Sequence, residues 1–154
     1  MTWEEVLRVT IPGQPVPKGR PRFRCRNHRV ETYTDAKTKA FEELVALCVN
    51  TSPQLRGQQR PLVGRAPSAA RIDITAVFQR PERISRKKDP DGLIPMGKRP
   101  DLDNVIKSVI DGCSIPPGMI WNDDGQVSCI RADAYYAEKD QGPRTEIVIY
   151  KLAR

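Results

Sequence analysis

Five of the chain's nineteen acidic residues lie between Gly97 and Val127, in the stretch GKRPDLDNVIKSVIDGCSIPPGMIWNDDGQV. Elsewhere lysine and arginine dominate, with 26 in all and a formal net charge of +7. A basic chain that gathers carboxylates in one place points to a hard divalent cation, which takes oxygen ligands. Mg²⁺ in particular uses one or two carboxylates together with waters and substrate phosphate oxygens. The chemistry implied is metal-assisted phosphodiester hydrolysis, with Mn²⁺ able to substitute. Lys107 lies one helical turn beyond Asp103, where an ammonium can offset charge on the attacked phosphate or help position the attacking water.

These side chains need an element to hold them, and local rules supply a helix. Pro100 interrupts the preceding segment, Asp101 or Asp103 can cap the first turn, and Gly112 with Pro116 and Pro117 ends the helix. At 3.6 residues per turn, Leu102, Val105, Ile106, Val109, Ile110 and Cys113 form an apolar stripe. Asp103, Lys107 and Asp111 form a separate polar one. A short loop returning beside this helix would carry Asp123 or Asp124 back to the first pair. Each residue also has an ordinary explanation: Asp101 as a cap, Asp103 and Lys107 as a solvated ion pair, Asp111 as a surface acid, Asp123-Asp124-Gly125 as a turn. The inference rests on the joint pattern.

PDLDNVIKSVIDG followed by WNDDGQV resembles the signature of the RusA-type Holliday junction resolvases, crossover junction endodeoxyribonucleases common in phages and prophages. The shared pattern is Asp-x-Asp-Asn, a lysine four residues after the second aspartate, a further helical aspartate, and Asp-Asp-x-Gln before a strand. The resemblance implies that Asp101, Asp103 and Asp124 are catalytic, metal-binding acids and that Lys107 is the required lysine. Asp111 and Asp123 match positions commonly acidic in the family and are expected to support the ligands from behind. It also implies a Mg²⁺-dependent nuclease of DNA recombination and repair that nicks four-way junctions symmetrically, leaving 5′-phosphate and 3′-hydroxyl ends. The fold implied is RusA-like.

A length of 154 residues predicts a single domain, 1–154, with a modest core. The charge and a pI near 9.5 favour a polyanionic partner. Nothing at the start, MTWEEVLRVTIPG, reads as a signal peptide or membrane span, so a cytoplasmic protein is expected. Cys25, Cys48, Cys113 and Cys129 form no CxxC pair and His28 is the single histidine. This argues against structural zinc and against a Ser-His or Cys-His hydrolase, and predicts reduced thiols.

In chain order, Val6 to Ile11 reads as a strand ended by Pro12 and Gly13. Next, Lys18, Arg20, Arg22, Arg24 and Arg26 alternate, so an extended backbone would put them on one face with Phe23 and Cys25 on the other. This reads as a phosphate-binding arm, extended to include Lys98 and Arg99 beside the acids. A helix capped by Thr34 or Asp35 runs to about Val49. Ala70 to Gln79 alternates as a strand, and Gln126 to Ala137 with Thr145 to Leu152 reads as a hairpin around Lys139 to Gly142. Residues 51–68 and 80–99, broken by proline and rich in charge, are expected to be flexible loops. Together these predict an α+β fold: a small, mostly antiparallel mixed sheet with two main helices.

One acidic cluster per chain and the two-fold symmetry of a four-way junction predict a homodimer. A non-catalytic DNA-binding accessory protein, or a metal nuclease acting on flaps or other branched DNA, remain the competing readings.

Overall fold

The computed structural model describes residues 1–153. Nine regular elements follow one another: β1 (Trp3–Pro12), β2 (Arg22–Arg26), β3 (Arg29–Tyr33), α1 (Ala36–Asn50), β4 (Ala70–Phe78), β5 (Ile94–Pro95), α2 (Leu102–Cys113), β6 (Val127–Tyr136) and β7 (Arg144–Leu152). Five strands form one mixed sheet in the order β1-β7-β4-β6-β5, and β2 and β3 form a separate two-stranded ribbon. This is the expected α+β architecture.

The sheet is organised on β4. Ala70, Ile72, Ile74 and Ala76 alternate with half-exposed residues and are essentially fully buried beneath the helices. β4 pairs antiparallel with β7 on one side and parallel with β6 on the other. The expected hairpin between β6 and β7 is therefore not formed, because β4 lies between them. The cause is α2, which joins β4 to β6 as a crossover helix. Such a connection returns the chain parallel to the strand it left. The seven residues from Ala137 to Pro143 then cross the end of β4, anchored where the Ala137 N–H donates to the Phe78 carbonyl at 2.8 Å.

α2 presents Val105, Val109 and Cys113 to the core and lays Gly112 against α1. A Cβ at Gly112 would stand 2.7 Å from the Val45 Cβ and 2.9 Å from the Glu42 carbonyl, so the two helices cross at backbone contact.

Both long connections are tied to the body at particular points. In residues 51–68, Leu55, Leu62 and Val63 enter the core, and the N–H groups of Leu62 and Val63 donate to the carbonyls of Met119 and Ile120. In residues 80–99, Arg80 is 5% exposed, and its guanidinium donates to the carbonyls of Ile84, Pro90, Asp91 and Gly92. A buried cation with carbonyl acceptors on several sides fixes the loop around itself. Among the described residues no helix is long and apolar enough to cross a membrane.

Candidate active site

Asp101 sits at the N-cap position of α2 with an extended backbone. Its carbonyl accepts from the N–H groups of Asn104 and Val105, but its carboxylate makes no capping bond. That carboxylate belongs instead to a cleft of about 590 Å³ with Lys98 and Arg99, floored by Met96, Leu102, Ala132 and Ala134. Asp103, in the first turn, reaches Lys107 at 3.8 Å, with both side chains more than 60% exposed. So open an ion pair contributes a few tenths of a kcal/mol at most, roughly, and leaves the carboxylate available. Asp101 and Asp103 thus present two uncommitted carboxylates at a helix N-terminus, flanked by Lys98, Arg99 and Lys107.

The second acidic segment is held quite differently. Asp123 is engaged in the turn itself: its Oδ1 accepts from the Gly125 N–H at 2.7 Å. Asp124 opens a short 3-10 turn, Asp124–Gln126, with its side chain exposed. Behind them Gln126 is 8% exposed. Its Oε1 accepts from the Asn122 N–H at 2.7 Å, and its Nε2 donates to the carbonyls of Gly64 and Ser68. Trp121 is fully buried, and its Nε1 donates to Ser114 Oγ at 2.8 Å. The turn is therefore fastened to α2 at one end and to the 61–68 loop at the other.

One chain does not bring the three expected ligands together. Among the described residues no three His, Cys, Asp or Glu side chains stand close enough to hold a metal ion. The reason is geometric. Trp121 ties the turn to Ser114, at the C-terminal end of α2, whereas Asp101 stands at the N-terminal end, and twelve helical residues span about 18 Å. The expected return of Asp123 or Asp124 to the first pair is thus not made within the chain. The fit to a cation is split: the Asp101 and Asp103 pair has the free carboxylates that Mg²⁺ takes alongside phosphate oxygens, and Asp124 lies apart from it.

Asp111 and Lys18 also sit differently from the sequence expectation. Asp111 is turned to Lys18, whose ammonium lies 2.8 Å from its Oδ2 and 2.6 Å from Glu42 Oε1. Burial pulls the Lys18 pKa down, but the carboxylates of Asp111 and Glu42 outweigh it and hold it above its ordinary value. Lys18 therefore locks the base of the arm between α1 and α2 and does not line up with the arginines. Ser108 Oγ, donating to the Val16 carbonyl at 2.6 Å, and the Lys18 N–H, donating to the Asn104 carbonyl, complete that lock.

From this base the arm continues as the β2–β3 ribbon, turned at Asn27 and His28, both with positive φ. Asn27 takes this conformation readily, and two successive positive-φ residues make the tight turn that suits a twisted hairpin. Arg22, Arg24 and Arg26 share one face, joined across the ribbon by Arg29, which the sequence reading passed over. Arg24 pairs with Glu31 at 3.1 Å, Arg22 with Asp35 at 3.5 Å, and Arg20 stands exposed before the strand. The opposite face carries Phe23 and Val30, both about 70% exposed. Ser108 and Glu42 are the positioning residues that sequence reasoning missed. Gln126 stood in the motif as the Gln before a strand, with no role assigned to it.

The family model of the endodeoxyribonuclease RusA matches residues 12–150. The chain belongs to the RusA family. It is thus an endodeoxyribonuclease of a Holliday junction resolvase family, whose members are metal-dependent and bind branched DNA. It is also similar to the uncharacterized protein YqaN of Bacillus subtilis (strain 168), 30% identical over 155 residues that cover 97% of this chain and 99% of that one. The matched span takes in the Arg22–Arg29 ribbon, α2 and the Asp123–Gln126 turn.

Proposed function

We propose that this RusA-family chain is a Mg²⁺-dependent endonuclease that resolves four-way DNA junctions in recombination and repair, working as a homodimer. The observation that carries the reading is the pair of uncommitted carboxylates at the start of α2: Asp101, in a cleft that also offers Lys98 and Arg99, and Asp103 in the first turn beside it. Mg²⁺ bound there would polarise the phosphate and lower the pKa of a coordinated water. The chain's own residues do the rest. Lys107 offsets charge on the phosphate from the Asp103 side, and Lys98 and Arg99 orient the strand along the cleft. Arg20, Arg22, Arg24, Arg26 and Arg29 bind phosphates farther along an arm of the junction and give affinity without reading sequence.

Two considerations support the dimer. A junction has two-fold symmetry and needs two cuts, and one chain leaves Asp124 apart from the carboxylates that it joins in the family pattern. A second copy supplies both the second cut and the missing acid.

The test is cleavage of an end-labelled four-way junction beside a matched linear duplex, with Mg²⁺ or EDTA. Paired symmetric nicks confined to the junction and to Mg²⁺ are expected. Tight junction binding with no cut in Mg²⁺ or Mn²⁺ would contradict the nuclease reading, and equal cutting of flaps would move the substrate from junctions to branched DNA at large.

A further inference from the structure

The β2–β3 ribbon has two faces of unlike chemistry. Residues directly opposite one another across a ribbon share a face. Arg22 with Tyr33, Arg24 with Glu31 and Arg26 with Arg29 make the basic face, and Phe23 with Thr32 and Cys25 with Val30 make the other. On the basic face the aromatic ring is already engaged, because the Arg24 guanidinium lies over Tyr33 at 5.5 Å from its centre. On the other face Phe23 and Val30 are diagonal neighbours, 69% and 73% exposed, and neither joins the packed core among the described residues. A two-stranded ribbon is marginally stable in water until something covers one of its faces.

The root of the ribbon fixes what that apolar face can reach. The Lys18 N–H donates to the carbonyl of Asn104, the residue after Asp103, at 2.8 Å. The Gly19 N–H donates at 3.2 Å to the hydroxyl of buried Thr38, which itself donates to the Pro17 carbonyl at 3.1 Å. The ribbon thus springs from the same helical turn that carries the acids. Fully extended, the chain from Lys18 to Phe23 spans at most about 18 Å. Along one strand of a duplex that is roughly five nucleotides from a phosphate held at the first turn of α2.

With Arg22, Arg24, Arg26 and Arg29 drawing the ribbon onto phosphates, its other face stands close to nucleic acid as well. The broad apolar surface that DNA can offer it is the flat face of a base. In a closed duplex those faces are covered by their neighbours and must be unstacked before a side chain can enter. At a branch point the stack is already interrupted. We propose that Phe23, backed by Val30, stacks on the base left uncovered at the branch point, so that this face selects branched over linear DNA. The basic face supplies affinity for either. Every base has a π-face, so the selection is for structure and not for sequence. This rests on the reading of the chain as a nuclease of branched DNA and names the residue that recognises the branch.

The experiment measures binding without cutting, in EDTA, with the full chain. The probes are a four-way junction carrying 2-aminopurine at each branch-point base in turn and a linear duplex of matched sequence. Wild type is expected to change the fluorescence at a branch-point position and at no position of the duplex. Phe23→Ser, with an unchanged circular dichroism spectrum, should abolish that change and weaken junction binding about tenfold. Its duplex binding and the salt dependence of both complexes should stay as in wild type, since no phosphate contact is lost. Phe23→Trp is expected to restore the fluorescence change and the preference for the junction. Arg24→Gln with Arg26→Gln should instead weaken junction and duplex binding alike.

Equal weakening of junction and duplex by Phe23→Ser, or no change in either binding or fluorescence, would overturn the proposal. So would a Phe23→Ser chain that sediments as a smaller species than wild type, which would assign the face to a second copy of this chain. The two readings fail separately. Junction cleavage that keeps its full selectivity in Phe23→Ser sinks the stacking contact and keeps the nuclease, and a Phe23-dependent fluorescence change in a protein that cuts no DNA in Mg²⁺ or Mn²⁺ does the reverse.

Discussion

The two acidic and basic halves of this surface are built on opposite terms. The Asn122–Gln126 turn is anchored by a buried tryptophan, a buried glutamine with three hydrogen bonds, and the core-packed loop behind it. The β2–β3 ribbon has no buried residue at all, and its ties to the body include its base at Lys18 and the Arg22 to Asp35 pair. The difference matches what each must do. A carboxylate that serves a cation has to be held within a fraction of an ångström, so its support is buried and hydrogen-bonded. A guanidinium that neutralises phosphate works through a diffuse field and tolerates motion.

Substitutions can break this contrast from either side. The largest effect is expected in catalysis. Asp103→Asn should reduce junction cleavage by at least about a thousandfold, the scale on which a group acting on developing charge is felt, while junction binding measured by gel shift is kept or improved. Loss of binding together with activity would make Asp103 structural. Next is Trp121→Ala, expected to cost about 3–5 kcal/mol in denaturant unfolding, since it empties a core site and leaves the Ser114 hydroxyl without its donor.

Phe23→Ser on the ribbon is expected to change stability by less than about 0.5 kcal/mol, as an exposed position should. A large loss there would show that the ribbon is packed in solution. Arg24→Gln with Arg26→Gln should leave stability alone and flatten the salt dependence of DNA binding by about 0.9 log units per lost phosphate contact. An unchanged slope would take the ribbon off the DNA.

The smallest effect is a pH dependence. Burial pushes the Cys113 thiol up to about 12. The folded chain therefore holds its proton where the unfolded chain, near pH 8.5, releases it. This stabilisation is complete below that pH and is lost as pH rises towards the folded value. Lys18, also raised, adds a loss in the same direction at higher pH, beyond the ordinary lysine value. The alkaline limb of a stability curve is expected to begin near pH 8.5 and to flatten in Cys113→Ala; an identical limb would assign it elsewhere.

Much of this molecule could be read from the chain because its signals are local. The period of Leu102 to Cys113 and the alternation of Ala70 to Phe78 identify α2 and β4, and the spacing of Asp101, Asp103 and Lys107 puts chemistry on the first turn. What could not be read is non-local. That α2 is a crossover, so that β4 separates β6 from β7, depends on strand pairing that periodicity does not encode. The anchoring of residues 51–68 depends on Leu62 and Val63 finding Met119 and Ile120 far along the chain, and that of residues 80–99 on a buried Arg80 gathering carbonyls of its own loop, a set that no local pattern announces. Lys18 matched the arginine alternation, yet its partners Glu42 and Asp111 come from two helices. Asp124 was expected beside Asp101 because the motif joins them. The motif is indifferent to which copy supplies each acid.

The most direct measurement of that last point is a complementation assay. Asp103→Asn and Asp124→Asn chains, differently tagged, are co-expressed, and the mixed dimer is purified and offered a four-way junction with Mg²⁺. Each variant alone is expected to be inactive. The mixed dimer should recover nicking of one strand without paired resolution, because one of its two sites receives wild-type Asp103 from one copy and wild-type Asp124 from the other. A mixed dimer as inactive as either parent would show that the acids work within a single chain, and would contradict a site shared between two copies.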